Sequence, residues 1–214
     1  MNKNMADIRK EYQMQSLLET DVCKTPFQQF HKWWADVLNS SLDEINAMTL
    51  ATASLTGVPS ARIVLLKSVT EEGFVFFTNY NSHKGKDLLE NPNACLVFFW
   101  KELERQINIT GTVEKVSADE SDVYFNSRPM GSRIGAWSSP QSNVIASREI
   151  IEKNITTYTE QFSGKDISRP PHWGGYIVKP TVIEFWQGRP SRLHDRIRYS
   201  KVKEGSWQID RLAP

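Results

Sequence analysis

The chain has 214 residues, with 26 Lys and Arg against 25 Asp and Glu, a formal net charge of +1. That length suits one large domain or two small ones, and the near-neutral balance removes any global electrostatic pull toward nucleic acid or a membrane surface. Cys23 and Cys95 stand in no metal-ligand spacing and read as free thiols, no apolar run approaches membrane-spanning length, and MNKNMADIRKEYQ lacks the apolar core of a secretory signal, so a cytoplasmic protein is expected.

Residues 1–25 are polar and read as an N-terminal arm, partly mobile, with Arg9–Leu18 as a candidate short helix. Residues 26–214 read as a single domain. Thr25-Pro26 opens a helix, with Thr25 as N-cap, Pro26 in the first turn, and Phe27, Phe30, Trp34 and Val37 on its core face. From Ala47 the hydrophobic period changes to that of strands. Met48–Ser54 and Ser60–Lys67 form a hairpin about Thr56-Gly57-Val58-Pro59, and Phe74–Thr78 follows the turn at Glu71-Glu72-Gly73. Ser82–Glu90 reads as a helix ending at Asn91-Pro92. Ala94–Trp100 and Gln106–Val116 are strands, and 119–127 and 147–162 helices, with Arg128–Ser142 as a Ser/Gly/Pro-rich connection. Trp173–Lys179, Val182–Gln187, Arg192–Tyr199 and Ser206–Ile209 finish the chain as strands. The pattern predicts a mainly β chain with flanking helices (α+β), arranged as an antiparallel barrel.

No glycine-rich phosphate loop, dinucleotide fingerprint or nucleophile elbow is present, and no two of the four histidines have metal-ligand spacing, so no metal is expected. Four cationic clusters stand out. In Arg192–Tyr199, alternation places Arg192, His194, Arg196 and Arg198 on one strand face. Either a bound dianion answers them, or the strand is a solvated edge protected by charge. Arg62 and Lys67, five apart, face opposite ways on a straight strand unless one lies beyond its end. They are two ordinary strand-end cations, or they serve different anions. His83, Lys84 and Lys86 sit in the first turn of a helix capped by Ser82, where cations oppose the macrodipole unless a phosphate is bound there; a solvated basic turn is the alternative. Tyr124, Arg128 and Ser132 are spaced by four, and Pro129 breaks a single helix between them. They converge only if two short helices meet. So many cationic sites would suit two phosphorylated ligands, a cofactor and a substrate, better than one.

Several blocks carry a family resemblance: Arg62–Lys67 (RIVLLK), Phe77-Thr78-Asn79, Ser82–Lys84, Leu103–Gln106 (LERQ), Tyr124–Ser132 (YFNSRPMGS), Ile134–Trp137 with Gln141-Ser142, Phe185–Gly188 (FWQG), Arg192–Arg196 (RLHDR) and Trp207–Pro214 (WQIDRLAP). In this order they resemble the pyridoxine/pyridoxamine 5′-phosphate oxidases. The resemblance implies an antiparallel split β-barrel of the FMN-binding type, a homodimer with FMN at the interface, and dimerisation and active-site strands at the C-terminus. It implies oxidation of pyridoxamine or pyridoxine 5′-phosphate to pyridoxal 5′-phosphate, with hydride passing from C4′ to flavin N5 and O2 reoxidising the flavin to give H2O2.

Carried onto this chain, the resemblance implies that Arg62 and Lys84 hold the FMN phosphate with Thr78 and Ser142, beside Phe77 and His83. Gln106, Gln141, Trp186, Arg196 and the backbone of Ile63, Val64, Leu65 and Leu66 would contact the flavin. Lys67, adjoining the FMN segment, would bind the substrate phosphate with Tyr124, Arg128 and Ser132. Arg192, Leu193 and His194 would hold the substrate ring, with Arg192 and His194 as the catalytic candidates. Arg9, Lys10, Glu11 and Tyr12 resemble a segment that closes over the site. His83 stands where the family often carries Arg, so FMN binding is expected to be weaker, or to weaken as pH rises, and Arg189 has no assigned role. The rival readings are a split-barrel flavoprotein with another substrate, or a non-catalytic carrier of FMN or pyridoxal phosphate.

Overall fold

The computed structural model describes residues 4–7, 10–203 and 205–214; Arg9 lies outside them. Among these residues are five α-helices, α1 (Pro26–Leu38), α2 (His83–Glu90), α3 (Ala118–Ser127), α4 (Met130–Ser138) and α5 (Glu149–Gln161). The strands are β1 (Ala47–Ala53), β2 (Pro59–Leu65), β3 (Ser68–Thr70), β4 (Gly73–Asn79), β5 (Asn93–Trp100), β6 (Arg105–Lys115), β7 (Trp173–Gln187), β8 (Asp195–Lys203) and β9 (Ser206–Leu212). Strand order is β2-β1-β5-β6-β7-β4-β3, with β8 pairing β7 and β9 pairing β8. The pairings β3–β4, β4–β7, β7–β8 and β8–β9 are antiparallel.

The chain divides into two compact units, and β1, β5, β6 and β7 run through both. The first comprises Met1–Thr49, Cys95–Thr110 and Pro180–Pro214. Its helix α1 starts as expected: Thr25 Oγ1 accepts the Gln28 N–H at 3.2 Å and Pro26 occupies the first turn. The buried face carries Phe27, Phe30, Trp33 and Val37, so Trp33 rather than Trp34 is the fully packed tryptophan. Trp33 meets Phe185 edge-on at 5.1 Å, while Trp34 stacks on Phe30 at the margin. Residues 10–18 form no helix; the backbone N–H groups of Gln13, Met14 and Leu17 donate to the carboxylates of Glu104 and Asp195 instead.

The second unit comprises Leu50–Ala94 and Gly111–Lys179. A cluster of Phe125, Ile134, Ile167 and Trp173 fills it beneath α3, α4 and α5, with Phe77, Tyr124 and Trp137 packed against it. The connection expected over Arg128–Ser142 contains α4. Its short apolar face, Ile134 with Ala136 and Trp137, closes on that cluster, and this tertiary burial outweighs the local Gly and Ser content. The two strands expected on either side of Pro180 are one strand, β7. Pro180 falls between the stretch paired to β4 (173–178) and the stretch paired to β8 (182–187), where its missing N–H costs no bond to either.

Candidate functional site

In the second unit, a cavity of about 780 Å³ opens beside β2, β4, α3 and α4. It is lined by Arg62, Ile63, Val64, Leu65 and Lys67 from β2 and its exit, and by Phe77, Thr78 and Lys84 from β4 and α2. Tyr124, Arg128, Ser132, Gln141 and Trp173 complete the expected residues or adjoin them. Among the described residues, four cations line the cavity and no carboxylate does. Like charges converging in this way leave a field suited to anionic ligands.

The cations fall into two groups. Arg62 projects from β2, where Nη1 donates to Thr52 Oγ1 at 2.8 Å and to the Leu50 carbonyl at 3.2 Å, while Nη2 donates to Ser60 Oγ at 2.6 Å. Asp87 of α2 lies 3.9 Å from Arg62 and accepts from Thr52 and Ser60 at 2.6 and 2.9 Å. Burial alone would raise the Asp87 carboxyl. The two hydroxyls, His83 and Arg62 together hold it below its usual range. Lys84 is buried in the first turn of α2, 3.3 Å from Ser82 Oγ, and its ammonium is pushed down by burial and then by the charge of Arg62. A buried ammonium beside a guanidinium, at a helix start capped by Ser82, matches the chemistry of a phosphate site.

The second group is Lys67, Tyr124, Arg128 and Ser132. Strand β2 ends at Leu65, so Lys67 lies beyond it and reaches the same cavity as Arg62, 5.8 Å from the centroid of the Tyr124 ring. Helix α3 stops at Ser127 and α4 starts at Met130, which brings Tyr124, Arg128 and Ser132 together where two short helices meet. Arg128 Nη1 is buried without a hydrogen-bond partner among the described residues. Burial pushes the guanidinium down, an effect that Tyr124 opposes. A buried, unpartnered guanidinium nitrogen in a cavity wall is a place for an anion.

In the first unit, a pocket of about 650 Å³ is lined by Lys10, Glu11, Tyr12, Arg189, Ser191, Arg192 and His194. The expected strand face from Arg192 to Arg198 is corrected here. Strand β8 begins only at Asp195, and Pro190–Arg192 is a single 3-10 turn in which Ser191 and Arg192 have φ of 54° and 62°. Left-handed backbone at two successive non-glycine residues is costly and concentrates at functional sites. Arg196 and Arg198 do share a face, but carboxylates answer them. Glu184 pairs with Arg196 at 2.7 and 3.1 Å, and Asp210 with Arg198 at 2.9 Å. Leu193 is exposed.

His194 is held in one orientation. Its Nδ1 accepts the Arg189 backbone N–H at 3.1 Å, and its ring lies 4.6 Å from Trp186 and 5.9 Å from Tyr12. Burial, then the charge of Arg192, pushes its pKa down. With Nδ1 accepting, the neutral ring carries its proton on Nε2. Arg189, which lacked a role in the sequence, supplies that N–H.

Other expected residues lie elsewhere. Leu66 is buried outside the cavity lining, and Ser142 is exposed with φ of 70°. His83 is also outside the lining, with Nε2 3.5 Å from Asp87 Oδ1. Gln106 and Trp186 lie half-buried on β6 and β7 of the first unit. Sequence reasoning missed Asp87, Thr52, Ser60 and Trp173; of these, only Asp87 had a local signal, four residues after His83 on the same helix.

Comparison with known proteins sharpens this picture. Residues 35–162 match the pyridoxamine 5′-phosphate oxidase family, and residues 173–214 match the pyridoxine 5′-phosphate oxidase C-terminal dimerisation region. The chain belongs to this family. The pyridoxine/pyridoxamine 5′-phosphate oxidase of Nostoc punctiforme is 57% identical over 214 residues, all of both chains. The structure of PhzG from Burkholderia lata 383, in complex with tetrahydrophenazine-1-carboxylic acid, superposes with a TM-score of 0.86 at 28% identity, covering 92% of this chain and 98% of PhzG. A pyridoxamine 5′-phosphate oxidase-related, FMN-binding protein from Nostoc punctiforme PCC 73102 shares the fold, with a TM-score of 0.69 at 17% identity over 90% of this chain and all of that one. The fold of the family member is therefore the antiparallel split β-barrel with flanking helices. No described helix is long and apolar enough to cross a membrane.

Proposed function

We propose that this family member is an FMN-dependent oxidase that converts pyridoxamine 5′-phosphate or pyridoxine 5′-phosphate to pyridoxal 5′-phosphate. The observation that carries the reading is the cavity with two separate cationic groups, one of them holding a buried guanidinium nitrogen that has no partner among the described residues, and with no carboxylate among those residues in its lining. Two phosphates, one on the cofactor and one on the substrate, match two such groups.

The donor set fits FMN. Arg62 and Lys84 would hold its phosphate, with Thr78 from β4 and Ser142 assisting. Strand β2 is an edge of the sheet, so backbone N–H and C=O groups over Ile63–Leu65 are available to a heterocycle. Gln106, Gln141, Trp186 and Arg196 would complete the flavin contacts in the homodimer suggested by the C-terminal region. When bound, FMN supplies the acceptor for the hydride removed from C4′ and a route for the electrons to O2, giving H2O2.

The protein's own work is positioning. Lys67, Tyr124, Arg128 and Ser132 would take the substrate phosphate, and binding energy gained there can be used to align C4′. Arg192 and His194 would hold the substrate ring, and Arg192 would stabilise charge that develops on it. His194 acts as a neutral donor through Nε2–H, because Nδ1 already accepts from Arg189. It therefore orients an acceptor on the substrate rather than removing a proton. Lys10, Glu11 and Tyr12 would close that pocket.

The test is anaerobic. The FMN-saturated protein is mixed with pyridoxine 5′-phosphate and the visible flavin absorption is followed. Bleaching that reverses in air, with pyridoxal phosphate and peroxide formed, is expected. Unchanged absorption with the substrate bound would replace this reading by a carrier or by an oxidase of another substrate.

A further inference from the structure

Glu104, at the head of β6, is 2% exposed and has φ of 55°, a conformation that disfavours residues with a Cβ. Its Oε2 accepts the backbone N–H groups of Gln13 and Met14 at 2.9 and 3.1 Å, and Lys10 Nζ lies 3.3 Å from Oε1. Its own carbonyl accepts the Gly188 N–H at 2.7 Å and Gln187 Nε2 at 3.2 Å. The side chain thus grips the segment that carries Lys10, Glu11 and Tyr12. The carbonyl grips the end of β7, which leads into Arg189–His194. These are the two walls of the pocket in the first unit.

The walls touch through Tyr12. Its ring meets Trp186 edge-on at 5.7 Å and lies over Gly188, where an added Cβ would come within 2.7 Å of it. Only glycine lets the tyrosine settle there. A buried carboxylate suits this task, because a charged acceptor makes roughly twice as strong a bond to backbone N–H as a neutral one. The left-handed backbone allows one residue to present its carboxylate to one wall and its carbonyl to the other.

We propose that Glu104 is a positioning residue that sets Tyr12 against His194, and so fixes the pocket for the ring of the substrate. The identity of that ligand rests on the oxidase reading; the clamp itself does not. The test uses the full-length, FMN-loaded protein with Glu104→Gly, Glu104→Gln and Tyr12→Ala. Glycine accepts the left-handed backbone, so loss of the clamp is separated from a folding defect. Glu104→Gly should speed amide exchange at Gln13 and Met14 by about 10-fold or more, the loss expected for a hydrogen bond to a charged group. It should raise KM for pyridoxine 5′-phosphate by a similar factor with little change in kcat. Glu104→Gln, which keeps an acceptor oxygen but loses the charge and the Lys10 pair, should recover part of each effect and lie between Glu104→Gly and wild type. Adding Glu104→Gly to Tyr12→Ala should raise KM no further, because the two act through one contact. Unchanged exchange at Gln13 and Met14, or additive KM penalties, would overturn the proposal. If the wild type fails to turn over pyridoxine 5′-phosphate, the oxidase reading falls, and amide exchange still decides whether Glu104 clamps the segment.

Discussion

The guanidinium carbon of Arg128 lies 4.6 Å from the centroid of the Trp173 ring. The Trp173 ring lies at 14° to Phe77 and at 8° to Tyr124. A planar cation on an aromatic face is held flat, and its edge remains available for bidentate contact with an anion. The unpartnered Nη1 belongs to that cation.

Arg128→Ala should therefore act on substrate binding. Hydrogen bonds to charged groups contribute about 1.5–3 kcal/mol, which corresponds to a rise in KM of about 10- to 150-fold. FMN affinity, measured by fluorescence titration, should stay within about 3-fold of wild type. Loss of FMN with an unchanged KM would mean that the two phosphates are exchanged between the cationic groups.

Arg192→Ala should lower kcat severely while FMN remains bound. The residue lies in a different pocket from Arg62 and Lys84, and its strained backbone in the turn Pro190–Arg192 fixes where its side chain starts. Losing one electrostatic stabiliser of developing charge lowers turnover by about 10²–10³-fold. Single-turnover flavin reduction is the measurement, and near-normal reduction would remove Arg192 from the chemistry.

Much of this was legible in the sequence because it is local. Thr25-Pro26 and Ser82 mark helix starts, the change of hydrophobic period from Ala47 marks β1 and β2, the apolar run Ala94–Trp100 marks β5, and the Arg62–Lys67 spacing already allowed one cation to pass the strand's end. The exceptions are tertiary. Helix α4 forms because Ile134 and Trp137 have a cluster to close on. The alternation from Arg192 suggested a strand, but the Pro190–Arg192 turn displaces its start to Asp195, and Glu184 and Asp210, on the two strands paired to β8, neutralise the arginines beyond. Trp173 and Glu104 were invisible for the same reason: each matters through what it touches from a distant part of the chain.

His194 gives a pH dependence with a definite sign. Burial and the Arg192 charge lower its pKa from 6.5, so the ring is neutral at pH 7. Protonation must place a hydrogen on Nδ1 and break the bond from the Arg189 N–H. The acid limb of kcat/KM should therefore fall below pH 6.5 and shift or vanish in His194→Asn. Because the folded pKa lies below the unfolded one, its stabilisation is complete above about pH 6.5 and is lost as pH falls through that value toward the folded pKa. Nitrogen-15 chemical shifts of the ring should show a bare Nδ1 and a protonated Nε2 at pH 7.5. The opposite tautomer would contradict the donor role.

Arg105 is the most heavily used buried cation of the first unit, and its loss should cost stability rather than cofactor. The guanidinium carbon lies 4.5 Å from the centroid of the Trp33 ring, and the group donates to Gln187 Oε1 at 3.0 Å and to Asp36 Oδ2 at 2.7 Å, and also bonds Gln15 Oε1. It thus ties α1, the end of β7 and the N-terminal segment to β6. Arg105→Ala strands a buried Gln187 side chain and removes packing from Trp33. Leaving the buried Gln187 oxygen without its donor costs about 1–3 kcal/mol, and the half-exposed Asp36, which water can solvate, adds little to that. Arg105→Lys should recover only part of that loss, since an ammonium cannot reproduce the planar fork. Urea unfolding is the measurement: the midpoint should fall with an unchanged m-value, and FMN affinity of the folded protein should be preserved. A midpoint equal to wild type would show that the three segments are held together without Arg105.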